Sequence, residues 1–246
     1  MAGSKPLGTP VDISLHRHTA RNRVRGIGIE LEGGWNQLPA GCSGPIRDGS
    51  VHVNAEWVGE YPSPVLNFST NSNLYWKKWA TKMYPHVVDH TCGMHVHLSF
   101  NTAFHYQRLM SPDYPATIVS EIRRWALNEG LPPGHCLWGR LGGESQFCQH
   151  VFHADEQVSN GSKDYDQTRV GHRYTVINYC WRNSTLECRL LPMMPDLNWS
   201  LKAIQEVIDI TNGYLVASRA REKKFRAELE LGEVGEMIQE NSVVRI

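Results

Sequence analysis

Acidic, imidazole and guanidinium side chains recur beside apolar residues in four separate segments of the sequence. They are Glu30 with Glu32, Glu56 with Glu60, His95 with His97, and Glu187 with Arg189. In an extended strand alternate side chains point to the same face, so each pair would lie opposite the apolar side of its strand. Carboxylates crowded on one surface repel each other unless cations compensate, and hard oxygen ligands suit Mg²⁺ or Mn²⁺. The four segments together predict a phosphate-handling site with more than one metal ion.

The strands that would carry these residues are predicted by a period of two. In residues 24–32, Ile27, Ile29 and Leu31 alternate with a glycine and two glutamates. In residues 94–100, four apolar residues alternate with two histidines and a serine. This pattern is typical of a half-buried strand. We also expect a strand or hairpin at residues 51–60, and a hairpin of strands 174–181 and 185–191 joined by a turn at 182–184.

Helices are expected between and after these strands. Tyr75, Trp79 and Met83 recur every four residues and indicate a helix over residues 72–84. A second helix, over residues 116–129, follows Pro115, and a long third helix is capped by Asp196 and extends towards residue 225. Because strands and helices do not alternate regularly, the sequence predicts an α+β fold with an antiparallel sheet instead of a doubly wound parallel one.

Composition limits the class of protein and its partners. The 246 residues contain 25 Lys plus Arg and 25 Asp plus Glu, so no overall field favours nucleic acid or an anionic membrane. No apolar stretch reaches the roughly 20 residues that cross a bilayer, and residues 1–10 lack the apolar core of a signal peptide. We therefore expect a cytoplasmic protein without a membrane partner. Its six cysteines form no C-x-x-C pair and are interpreted as reduced thiols.

The chain is expected to contain one compact domain with two extensions. Residues 1–23 include a run of histidines and arginines and are interpreted as a basic N-terminal arm. Residues 24–220 contain every motif and form the predicted domain. Residues 221–246 are charged and are expected to be peripheral.

Two other kinds of site are disfavoured by the same spacing. Zinc bound by Cys92 with His95 and His97 is disfavoured because strand parity places Cys92 on the face opposite both histidines, unless Gly93 bulges. A dinucleotide fingerprint is rejected because Gly26-x-Gly28 lacks the third glycine and precedes acids that would repel a pyrophosphate.

Four motifs, taken in order, resemble those of the amidoligase family. They are Gly-Ile-Glu-Leu-Glu at 28–32, Asp-Gly-Ser at 48–50 followed by Glu60 and Ser63-Pro64, Cys-Gly-Met-His-Val-His at 92–97, and Thr-Leu-Glu-Cys-Arg at 185–189. That family belongs to the carboxylate-amine ligase superfamily of glutamine synthetase and glutamate-cysteine ligase. The resemblance spans residues 26 to about 191 and implies a curved antiparallel sheet with packed helices, as in the glutamine synthetase catalytic domain.

The resemblance also implies a role for each site residue. A metal that bridges nucleotide phosphates would be held by Glu30, His95 and Glu187, and a second metal near the acceptor carboxylate by Glu32 and Glu60, with Glu56 as the alternative acid there. His97 would contact the phosphates. Arg189, and Arg173 from the neighbouring strand, would steady the transferring phosphoryl group or the acceptor carboxylate. Asp48 would be the base or the ammonium anchor for the amine.

The implied reaction consumes ATP with Mg²⁺, or with Mn²⁺. A carboxylate attacks the γ-phosphate to give an acyl phosphate, and an amine then displaces phosphate. The polar, glycine-bearing segment 139–168 is interpreted as a long mobile loop. Because an acyl phosphate hydrolyses in water, residues 142–168 of this loop would cover the site.

The substrates are a small-molecule or peptide carboxylate and an amine of unspecified identity, and an oligomer is possible. Two other function classes stay open. One is a hydrolase or transferase that uses the same metals without ATP. The other is a catalytically silent binding or structural relative.

Overall fold

The computed structural model describes residues 11–13, 23–67, 73–111, 113–143, 145–146, 148, 150, 174–180 and 185–242. These residues form six strands and five helices. The strands are β1 (Val24–Trp35), β2 (Trp57–Pro62), β3 (Leu66–Asn67), β4 (Gly93–Phe100), β5 (Ile177–Cys180) and β6 (Thr185–Pro192). The helices are α1 (Asn73–Met83), α2 (Ala103–Leu109), α3 (Asp113–Asn128), α4 (Leu137–Gly142) and α5 (Leu197–Ser242).

All six strands belong to one antiparallel sheet. The order is β2-β1-β4-β6-β5, and β3 also pairs with β1. Because β4 occupies one edge of β1, strands β2 and β3 lie along successive parts of its other edge. The prediction of an α+β fold with an antiparallel sheet is therefore confirmed.

The hydrophobic core lies between one face of this sheet and the helices. The apolar side chains of β1 and β4 that alternate in the sequence are buried: Ile27, Ile29, Leu31, Met94, Val96 and Leu98. Helix α5 packs against both strands, α1 packs against β1, and α3 packs against α5. The tyrosine rings of Tyr114 and Tyr214 meet edge to face at 5.1 Å where α3 and α5 touch. The opposite face of the sheet carries the charged residues of the same strands.

Strand register sets which of those charged residues meet. Glu30 lies opposite His95, Glu32 lies opposite Glu60, and His97 lies opposite Glu187. Side chains directly opposite each other in an antiparallel pair have Cβ atoms about 5 Å apart, which is within contact distance. The pairing of four strands thus gathers side chains that are distant in sequence.

Two elements differ in detail from the expectations. The buried face of α1 contains Trp76, Ala80 and Met83, whereas Tyr75 is 63% exposed. Strand β2 begins at Trp57, and the preceding residues 51–56 have no regular structure. At Gly59 the chain has φ of 151°, and an added Cβ would clash with the carbonyl group of Ile46, which forms a bridge to Glu60.

The predicted loop over residues 139–168 is wrong at its start, where residues 139–142 belong to helix α4. Helix α4 ends at Gly142, and Gly143 follows it with φ of 78°, the left-handed conformation that glycine adopts readily at a helix end. Apart from residues 139–143, 145–146, 148 and 150, this segment lies outside the described residues, as does the turn at 182–184.

The two predicted extensions are described only in part. Val11 and Ile13 of the basic arm are buried in the core, and the Val11 N–H donates to the Thr117 hydroxyl at 3.0 Å. The remainder of residues 1–22, except Asp12, lies outside the described part of the chain. Helix α5 continues through residue 221 without interruption. Among the helices of the described residues, none has the length and apolarity that a bilayer crossing requires.

Candidate metal centre

The first group of potential metal ligands is formed by Glu30 on β1, His95 on β4 and Glu187 on β6. The Nδ1 atom of His95 is 3.1 Å from Glu30 Oε2 and 3.5 Å from Glu187 Oε1. One ligand atom from each of the three residues lies within 4.8 Å of the other two. His95 and Glu187 are buried, whereas the Glu30 side chain is 25% exposed. The group therefore opens to solvent beside Glu30.

A second group is formed by Glu32 on β1, Glu60 on β2 and Asp48 in the preceding loop. Their carboxylate oxygens also come within 4.8 Å of one another. The Nε2 atom of His95 is 3.6 Å from Glu32 Oε1, so the imidazole lies between the two groups. Asp48 is thus among the acids of the predicted second metal, although the sequence suggested it as a base or an ammonium anchor.

Glu32 is held in place by the backbone at the start of β4. The Gly93 N–H donates to Glu32 Oε2. A Cβ atom at Gly93 would lie 2.5 Å from His95 Nε2 and 2.9 Å from Glu32 Oε2. Glycine is therefore required because a side chain here would displace the imidazole or the carboxylate. The sequence signal was present in Cys-Gly-Met-His-Val-His, but nothing local to it identified Glu32 as the partner.

Both carboxylate oxygens of Glu187 have donors. Arg189 donates from Nη1 to Glu187 Oε1. The Asn178 side chain donates to Oε2 at 3.0 Å, and the Thr175 hydroxyl donates to Asn178 Oδ1 at 3.1 Å. Sequence reasoning missed Asn178. The pairing of the two predicted hairpin strands could have revealed it, because Asn178 lies directly opposite Glu187.

The acids of the first group are ionised by their surroundings. Burial alone would raise the pKa of Glu30, but hydrogen bonds to His95 and His97 hold that pKa well below its usual range. Burial likewise opposes the charge of Glu187, yet the adjacent Arg189 guanidinium, with His97 and His95, lowers its pKa. His97 Nε2 is 3.0 Å from Glu30 Oε1 at the solvent-facing edge of the group. Such carboxylates can accept a cation without first losing a proton.

A second buried arginine, Arg140 of α4, was also missed. It donates to the carbonyl oxygens of Arg189 at 3.0 Å and Cys92 at 3.2 Å. Burial lowers its pKa, and the charge of Glu32 opposes that effect. Five carboxylates in the two groups thus face two buried arginines, which leaves an excess of negative charge for cations to neutralise.

One predicted site residue is not in this arrangement, and another lies outside the described residues. Glu56 is exposed on the bend before β2 and belongs to neither group. Strand parity does not extend to it because β2 begins one residue later. Between the two acids that the sequence left open, the structure therefore brings Glu60 into the site. Arg173 lies outside the described residues.

The donor atoms of the two groups are carboxylate oxygens and one imidazole. Such a set suits Mg²⁺ or Mn²⁺, which favour oxygen ligands, and the imidazole also suits softer divalent metals. Comparisons of the chain with protein-family models, with curated proteins and with solved structures found no match.

Proposed function

We propose that the protein is an ATP-dependent carboxylate-amine ligase that forms an amide bond through an acyl phosphate on a glutamine synthetase-like sheet. The proposal depends on one observation: two groups of acids from β1, β2, β6 and the Asp48 loop converge around the imidazole of His95. The amidoligase-like motifs of the sequence supply these same residues. Their resemblance supports ATP as the phosphoryl donor and an amide as the product.

The residues present fit two divalent ions. Glu30, His95 and Glu187 would hold one ion, and Glu32, Glu60 and Asp48 would hold the other. When bound, Mg²⁺ or Mn²⁺ would neutralise the charge on the phosphate oxygens. The five carboxylates of the two groups outnumber the two buried arginines, and this favours loading, because ionised acids at such short separations repel each other without cations.

The remaining side chains orient the substrates in this proposal. His97, whose side chain is 20% exposed beside Glu30, would donate to the phosphate chain. Arg189 keeps Glu187 ionised and oriented. The Nε of Arg189 has no hydrogen-bond partner among the described residues, so one donor remains for a substrate oxyanion. Asp48 is assigned to the second ion because its carboxylate lies with those of Glu32 and Glu60.

Ligand-dependent thermal stability tests the proposal. Metal-free protein is melted alone, with Mg²⁺, with Mg²⁺ and ADP, and with Mg²⁺ and a non-hydrolysable ATP analogue. We expect Mg²⁺ to raise the melting temperature and the nucleotide to raise it further, since any ligand that binds only the folded state stabilises it. Glu30→Gln should abolish the increment from nucleotide. If Mg²⁺ stabilises and nucleotides add nothing, the ATP-independent hydrolase or transferase replaces the ligase.

The product identifies the substrates. Pooled carboxylates and amines are incubated with ATP and Mg²⁺, and the mixture is examined by mass spectrometry. A ligase releases ADP and phosphate together with a condensation product whose mass is the sum of both substrates less one water. Stabilisation by neither metal nor nucleotide, with no product, would favour the catalytically silent relative.

A further inference from the structure

Arg140 connects helix α4 to two strands at once. Its side chain is 3% exposed, and its two terminal nitrogens donate to the carbonyl oxygens of Cys92 and Arg189. Cys92 directly precedes β4, and Arg189 lies within β6. The β4–β6 register shifts between Met94 and Val96, beside Arg189. At such a shift the strand ladder is locally disrupted, and Arg140 provides a donor for the Arg189 carbonyl there.

Each of these two carbonyls adjoins a contact that fixes a carboxylate. The residue after Cys92 is Gly93, whose N–H donates to Glu32. The side chain of Arg189 donates to Glu187. Arg140 therefore binds the carbonyl next to Gly93, which donates to Glu32 of the second group. It also binds the carbonyl of Arg189, whose side chain donates to Glu187 of the first group.

Burying the Arg140 guanidinium has a free-energy cost that is high for a purely structural contact. Its hydrogen bonds to the two carbonyl oxygens are to neutral groups, which replace the lost hydration of a buried cation only in part. The nearby charge of Glu32 is favourable to it. That attraction offsets part of the cost and links Arg140 to the carboxylate of the second group.

We infer that Arg140 is a positioning residue for metal binding, which fixes the backbone points from which Glu32 and Glu187 are oriented. The inference rests on the proposed metal site. Residues that orient metal ligands typically change metal affinity by about 10- to 100-fold when removed. A residue that only ties α4 to the sheet would change stability and leave metal affinity unaltered.

Arg123 provides a matched control. It extends from α3 and donates from Nη2 to the Leu141 carbonyl of α4 at 2.7 Å. Arg123 and Arg140 therefore both attach α4 to a neighbouring element through a hydrogen bond to a carbonyl group. Arg123 is exposed, and its hydrogen bond to Leu141 involves neither carboxylate group. We expect Arg123→Met to loosen α4 without altering the Gly93 or Arg189 backbone.

The test is a Mn²⁺ titration of the full chain without ATP, in which free Mn²⁺ is measured by electron paramagnetic resonance. We expect Arg140→Met to weaken Mn²⁺ binding about tenfold or more and Arg123→Met to change it by less than about twofold. Arg140→Lys should recover part of the affinity, because an ammonium keeps the charge but lacks the planar fork that reaches two carbonyls. Thermal melting reports the stability of each variant.

Wild-type affinity in Arg140→Met would overturn the inference, and so would equal losses in Arg140→Met and Arg123→Met. If Arg140→Met does not fold, the comparison of Arg140→Lys with Arg123→Lys decides in the same way. Failure of the wild-type chain to bind Mn²⁺ would instead remove the proposed metal site itself. The two failures are therefore distinguishable.

Discussion

One imidazole is shared by three carboxylates at the centre of this protein. His95 Nδ1 faces Glu30 and Glu187, and its Nε2 faces Glu32. A neutral imidazole has one N–H donor and one acceptor nitrogen, so it can satisfy carboxylates on only one side. The other side requires a second proton or a metal ion. At the residue scale, this arrangement supports the proposed metal site.

Gly93→Ala tests how tightly this imidazole is confined. The added methyl group would lie 2.5 Å from His95 Nε2 and 2.9 Å from Glu32 Oε2, so both side chains must move. We expect Mn²⁺ affinity to fall about tenfold and unfolding free energy to fall by about 1–3 kcal/mol. Gly134→Ala is the control, because its Cβ would meet no atom within 4 Å. Unchanged Mn²⁺ binding in Gly93→Ala would show that the groups tolerate displacement.

Glu187→Gln removes a negative charge that pairs with Arg189 and would also bind the proposed metal ion. The substitution leaves the buried Arg189 guanidinium without its anion. We expect a loss of about 3 kcal/mol or more in urea unfolding, together with the loss of metal-dependent stabilisation. Glu129→Gln, which breaks the exposed pair with Lys202, should cost less than about 1 kcal/mol. Equal, small losses in the two variants would mean that the Glu187–Arg189 pair adds little.

At the scale of elements, the strands that carry the site could be predicted from the sequence. The sequence alternation in β1, β4 and β6 matches the structure, because one face of the sheet is covered by helices and the other bears the charged residues. The same parity correctly grouped Glu30 with Glu32 and His95 with His97 on the polar face. Local pattern therefore determined the face of each side chain.

Contacts between elements could not be predicted from these local patterns. Arg140 lies on a helix of six residues in a region that appeared to be a polar loop, and its partners are about fifty positions away. Asn178 and Gly93 act through strand pairing, which a single strand's periodicity does not specify. In α1, four-residue spacing indicated the helix, but packing against β1 selected Trp76, Ala80 and Met83 as its buried face.

The bend at Gly59 determines where β2 presents Glu60. Gly59 has φ of 151°, and a Cβ there would overlap the backbone of Ile46. Gly59→Ala should therefore separate β2 from the Ile46 segment, destabilise the fold by about 1–3 kcal/mol and weaken the second group more than the first. Urea unfolding and Mn²⁺ stoichiometry measure both effects. Gly49→Ala, with no atom within 4 Å of its Cβ, is the control that should leave both unchanged.

At the scale of the whole molecule, the sheet separates two environments. Its helix-covered face contains the apolar core, and its other face concentrates acids whose mutual repulsion is offset by Arg189, Arg140 and the histidines. A chain with zero formal net charge therefore contains a strongly uneven charge distribution. Its stability should depend on pH through these groups more than through its net charge.

Acid should destabilise the metal-free protein in two stages. Burial lowers the pKa of His105, His135 and His150 from the usual 6.5, and nearby arginines lower that of His105 further. Below about pH 6.5 the unfolded chain therefore binds more protons than the folded chain, and stability falls. The carboxyl groups of Glu30 and Glu187, with lowered pKa values, stabilise the fold above their usual range near 4.5. That contribution is lost in a second stage as pH falls further.

Urea unfolding at pH 7.5, 5.5 and 4, with chelator present, measures both stages. His150→Gln should reduce the first stage, because the glutamine does not titrate. Glu30→Gln should reduce the second stage alone. A free energy of unfolding that stays constant from pH 7.5 to 5.5 would contradict the histidine contribution. Constancy from pH 5.5 to 4 would show that Glu30 and Glu187 gain no net stabilisation from the cations around them.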